Sequence, residues 1–146
     1  MSAHSVDCRA FILALLRDYG GTIESATKIQ KLAFLSIREN GFNPFTSFKW
    51  HYYGPFSEEI QDTVEALKSQ GIVSEKEINR VSYSGKEYTI KRLSLTARGK
   101  RLAESENCRI DSDNEAALFR TIEKYGNKPL AKILDYVYKA YSPEDL

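Results

Sequence analysis

The chain is poor in the residues that carry metal and thiol chemistry. Its 146 residues include two histidines, His4 and His51, and two cysteines, Cys8 and Cys108. Neither histidine lies in a nucleophile, phosphate-loop, dinucleotide or zinc-hydrolase motif. The cysteines stand far apart without a pairing motif, so free thiols in a reducing cytoplasm are expected. A metal site would have to gather His4, Cys8, His51 and Cys108 from separate elements, without the ligand spacing that structural zinc uses. His4 and Cys8 are one helical turn apart, but Cys8 belongs to an apolar stripe. No catalytic residue, metal or cofactor is expected, and no enzymatic activity.

Long apolar runs are also missing. The best is Ala10–Leu16, well short of the roughly 18 residues that suggest a membrane span. Asp7 and Arg9 interrupt it as a signal peptide, and no small-residue cleavage site follows. A cytoplasmic protein with no membrane partner is expected. Net charge is nearly absent, with 21 Lys+Arg against 20 Asp+Glu, so no global field draws a polyanion. The charge is unevenly spread, however. Residues 76–101 hold eight basic and two acidic side chains, whereas both flanking regions are acidic in balance.

What is present is the material of a core. The hydrophobic fraction is 42%, with seven Phe and nine Tyr, which argues for one folded domain and against disorder. Cys8, Phe11, Ile12, Leu15, Leu16 and Tyr19 form one helical stripe that ends at Gly20-Gly21. Ser25 caps a second helix with Ile29, Leu32, Ala33 and Ile37 inward and Lys28 and Lys31 outward. Phe48, Trp50 and Tyr52 alternate with Lys49, His51 and Tyr53, the period of a half-buried strand with the first set inward. Gly54-Pro55 is read as the turn into a third helix, capped by Ser57, with Ile60, Val64 and Leu67 inward. Two strands, about 78–83 and 88–95, flank a Ser-Gly-Lys hairpin signal. Thr96 caps a short helix, and two more helices follow a polar break, the last with Leu130, Ile133, Leu134, Val137, Tyr138 and Tyr141 on one face.

Three helices followed by a β-hairpin is the order of a winged helix-turn-helix. The expected fold is therefore α+β: a winged-helix domain over 1–106 with a two-helix C-terminal extension over 107–146. "LSLTARGKRLAE" resembles the end of the wing in winged-helix transcriptional regulators, through Leu95, Thr96 and Gly99. "KIQKLAFLS" followed by "FKWHYYGPFSEEIQDTVEALKSQGIV" resembles the SocA-like (Panacea) antitoxin domains and the related YwgA-type uncharacterised proteins. The matching residues are Lys28 to Lys31 and Tyr53 to Glu59, within a match over about 23–102, and Ile29 departs conservatively from the family pattern. The resemblance implies a winged-helix-like fold and a regulatory or toxin–antitoxin role, and brings no catalytic residues.

Two kinds of partner stay open. For double-stranded DNA, Lys86, Lys91, Arg92 and Arg98 form a basic wing able to grip phosphates, with Lys28 and Lys31 in support; a solvated charged hairpin reads equally well. The third helix argues against base readout, because Glu58, Glu59 and Asp62 stand where a recognition helix meets the groove. For a toxin-like or regulatory protein partner, Tyr53, Glu58, Glu59, Asp62, Tyr138 and Tyr141 are the candidate contacts, since tyrosine anchors interfaces. Ordinary packing explains any single tyrosine as well. The apolar face of the last helix suggests a homodimer through the C-terminal helices. The leading expectation is a non-enzymatic, transcriptional-regulator-like DNA-binding protein, and the alternative an antitoxin-like or adaptor module.

Overall fold

The computed structural model describes residues 7–105 and 110–146. The chain is α+β, with six helices and a small antiparallel sheet among these residues. Helix α1 spans Cys8–Asp18, with the Asp7 carboxylate accepting from the Ala10 N–H at 2.8 Å. A two-residue strand, β1 (Thr22–Ile23), leads to helix α2 (Ala26–Asn40), whose first turn is held by the Ser25 hydroxyl. Both caps supply an oxygen to N–H groups that lack an intrahelical partner. Helix α2 is the centre of the molecule. Every residue from Lys28 to Ser36 is buried, because α3 (Glu58–Ser69), α5 (Ser112–Tyr125), α6 (Leu130–Ala140) and strand β3 (Gly54–Phe56) all pack against it. Helix α1 adds Phe11, which stacks on Phe45 and meets the edge of Phe42.

The aromatic stretch departs from the sequence expectation. It forms a tight hairpin, with β2 (Lys49–His51) paired to β3 in the register Trp50 opposite Pro55 and His51 opposite Gly54. The turn residues are Tyr52 and Tyr53, so Gly54-Pro55 is the returning strand. Phe48 does pack inward, against Phe34, and Trp50 is half-buried, but Tyr52 is 95% exposed at the turn. Gly54 has φ +86°, which residues with a side chain rarely adopt, and it lies in contact range of Lys31 of α2 and Val137 and Tyr138 of α6.

The second hairpin begins earlier than its periodicity suggests. Strands β4 (Val73–Val81) and β5 (Glu87–Leu95) pair along nine residues, and β1 adds to β5, for a sheet order β1-β5-β4. Only Val73, Leu93 and Leu95 reach the core, so the rest of the hairpin extends into solvent. Helix α4 (Ala97–Glu104) starts at Thr96, whose hydroxyl accepts from the Gly99 N–H and lies against the carbonyls of Gly71 and Ile72. A Cβ on Gly99 would sit on the Ile72 carbonyl oxygen, which gives the Leu-Thr-x-x-Gly passage a packing reason.

The C-terminal helices lie against α2. Ile133 and Val137 are fully buried and Tyr141 meets Phe34 edge-on, so part of the apolar face of α6 packs within the chain, while Tyr138 stays 43% exposed. The boundary placed between 106 and 107 lies outside the described residues.

Candidate functional site

The segments Lys28 to Lys31 and Tyr53 to Glu59, singled out in the sequence, touch each other. Lys31 is 1% exposed, and its ammonium donates to the Pro55 carbonyl at 2.9 Å. Gln30 makes a reciprocal pair with Ser57, its amide N–H₂ donating to the Ser57 carbonyl and its oxygen accepting from the Ser57 N–H, each at 2.8 Å. Lys28, 7% exposed, reaches the other way, donating to the carbonyls of Gly126 and Lys128 at the end of α5 and lying over the Tyr19 ring. An ammonium near a helix C-terminus meets its negative dipole end and its unpaired carbonyls. The outward placement of Lys28 and Lys31 is thus corrected. Both belong to the interior, where they hold the β2–β3 hairpin and α5, and neither ammonium is presented to a phosphate. The helical stripe assigned them outward because it allows only one buried face, whereas α2 is enclosed on several. Burial pushes the Lys31 ammonium down to about 8, with no carboxylate offsetting it.

From this anchored base the hairpin turn projects. Tyr52 and Tyr53 are 95% and 61% exposed, and the Tyr138 hydroxyl donates to the Tyr52 carbonyl, tying the turn to α6. Trp50 packs beside the Tyr138 ring and His51 beside Phe56. Three residues of β3 separate the turn from Ser57, which caps α3 through the Ile60 N–H. The exposed side of α3 carries Glu58, Glu59, Asp62 and Glu65, of which Glu65 pairs with Lys68. Of the candidate partner contacts, Tyr53 and Tyr138 lie at the turn, Glu58 and Asp62 are exposed in the first turns of α3, and Glu59 diverges from Glu58 and stands beside Cys8 of α1. Tyr141 does not join them. Its hydroxyl donates to Glu39, as do those of Tyr125 and Tyr136, so one carboxylate of α2 gathers three phenols from α5, α6 and the segment beyond.

The register of β4 and β5 divides the basic wing. Opposed residues of an antiparallel ladder share a face, and faces alternate along a strand. Val73, Leu93 and Leu95 define the inner face, which continues outward as Glu75, Glu77 opposite Lys91, Asn79 opposite Thr89, and Val81 opposite Glu87. The outer face carries Lys76 opposite Arg92, Ile78 opposite Ile90, and Arg80 opposite Tyr88. Lys91 and Arg92 thus point to opposite sides, and Lys91 faces Glu77. Lys86 is exposed at the turn, while Arg98 on α4 donates to the Gln70 carbonyl at the end of α3. Lys76, Arg80 and Tyr88, which no motif marks, join Arg92 only once the register is known.

Other polar groups are engaged inside the fold. Arg17 forks onto Glu115 at 2.8 and 2.9 Å and onto Asp18, in an open cleft of about 420 Å³ also lined by Glu104 and Ile110. Burial and the nearby Glu59 push the Cys8 thiol up to about 12, which leaves it protonated and unreactive in the core. Among the described residues no group of three or more His, Cys, Asp or Glu side chains is placed to hold a metal ion; His4 and Cys108 lie outside them. No described helix is long and apolar enough to cross a membrane. Compared with known proteins, the chain matches no family model, no curated protein and no solved structure.

Proposed function

We propose that the protein is a non-enzymatic regulatory module, antitoxin-like or adaptor-like, on a winged-helix-type scaffold, and that it binds a protein partner through the Tyr52-Tyr53 turn and the acidic side of α3. The order α1-β1-α2-α3 followed by the β4–β5 hairpin, with β1 completing the sheet, supports the scaffold. The observation that carries the function is the anchored turn. The backbone around the two exposed tyrosines is fixed, by Lys31 on the Pro55 carbonyl, Gln30 on Ser57 and Tyr138 on the Tyr52 carbonyl. A turn whose backbone is already ordered lowers the cost of association, and tyrosine is among the residues that dominate interface energies. The exposed carboxylates Glu58, Glu59 and Asp62, which follow the turn at the start of α3, add charge that selects a basic partner surface.

The same helix weighs against duplex readout. Its exposed side is acidic where a recognition helix would meet phosphates, and Lys28 and Lys31 are withdrawn into the core. Affinity capture from the native host tests the reading. A partner should be retained by the wild type and lost or weakened at least tenfold with Tyr52→Ala/Tyr53→Ala and with Glu58→Lys/Asp62→Lys. A partner held equally by all three proteins would place its contact elsewhere.

A further inference from the structure

We propose that the outer face of the β4–β5 hairpin is a binding platform for single-stranded nucleic acid, a surface separate from the one assigned above to a protein partner. The charged side chains of the hairpin are sorted by face. All three of its carboxylates, Glu75, Glu77 and Glu87, lie on the inner face, whereas Lys76, Arg80 and Arg92 lie on the outer one. Lys76 and Arg92 stand directly opposite each other, an arrangement that is unfavourable unless an anion lies over it. Glu24, beyond β1, approaches this face, with a carboxylate oxygen 3.7 Å from Arg80.

Between the cations lie apolar and aromatic groups. Ile78 and Ile90 form a half-buried pair at the centre, and Tyr88, 48% exposed, stands opposite Arg80. At the turn, the Ser82 N–H donates to the Lys86 carbonyl at 2.9 Å, and Tyr83 and Lys86 are both exposed there. A row of cations that follows a phosphate backbone, interleaved with rings on which bases stack, is what a single strand requires. In a duplex the bases are already stacked and their faces are hidden, so Tyr83 and Tyr88 would contribute nothing there.

Fluorescence anisotropy with labelled oligo-U, oligo-dT and a mixed-sequence duplex of equal length, across a salt series, tests this. Both single strands should bind more tightly than the duplex. Tyr88→Ala should weaken strand binding roughly tenfold without altering the salt slope, and Tyr88→Phe should restore it. Lys76→Gln and Arg92→Gln should each reduce the slope by about 0.7. Lys91→Gln, on the inner face opposite Glu77, should change neither quantity. Equal binding of duplex and strand with no effect of Tyr88→Ala would overturn the platform, as would no binding at low salt. These hairpin substitutions leave the Tyr52-Tyr53 surface intact, so partner capture by the same variants remains an independent measurement.

Discussion

Lys31 sits in the interior with one carbonyl partner and no counter-ion, which makes it expensive in its charged form. Its folded pKa is about 8, below the ordinary 10.5, so between these values the unfolded chain binds more protons. Stability should therefore rise with pH across that window, by about 3 kcal/mol if Lys31 alone is considered. Urea unfolding of the wild type and Lys31→Met at both ends of the window measures it. The variant should lack this component of the pH slope, and parallel slopes would rule out the depressed ammonium. Sequence periodicity could not foresee this residue. Lysine on an amphipathic helix ordinarily faces water, and nothing local reports that α5, α6 and β3 will enclose α2.

At the scale of elements, the helices were legible because each carries its own signals. Ser25, Ser57 and Thr96 each cap the helix they were expected to cap, and Gly41 ends α2 with φ +83°. The strands were less legible, since pairing partners are set by tertiary contacts. Tyr52-Tyr53 carries no turn signal, whereas Gly54-Pro55 carries a strong one, and the hairpin was missed for that reason. The junction of β5 and α4 offers a sharp test. Gly99→Ala would drive a methyl group onto the Ile72 carbonyl, so α4 or the start of β4 must move. The expected loss is about 1–3 kcal/mol, read as a lower urea midpoint, with helix content unchanged below the transition. An unaltered midpoint would mean that the approach of α4 to Ile72 is looser than the geometry shows.

For the molecule as a whole, Glu39 is the point where α2, α5 and α6 are joined. Burial alone would raise its carboxyl, but hydrogen bonds from Tyr125, Tyr136 and Tyr141, with Lys124 at 3.8 Å, hold it below the usual carboxylate range. A carboxyl depressed by folding contributes stability above its unfolded pKa of about 4.3 and loses it as pH falls through the folded value. Glu39→Gln should cost roughly 2 kcal/mol near neutrality, with the difference from wild type shrinking in acid. Thermal unfolding of both proteins along a pH series checks the sign, and a difference that grows in acid would contradict it.

The reach of Lys28 has a consequence for the order of folding. Its carbonyl partners lie 98 and 100 residues further along the chain, on Gly126 and Lys128. During synthesis from the N-terminus, α2 and its hairpin can form while those partners are still to be made, leaving a lysine with no acceptor in a cavity not yet closed. The segment just past α5 thus completes the central helix rather than merely joining it, and a nascent chain that stops before Lys128 is missing part of its own interior.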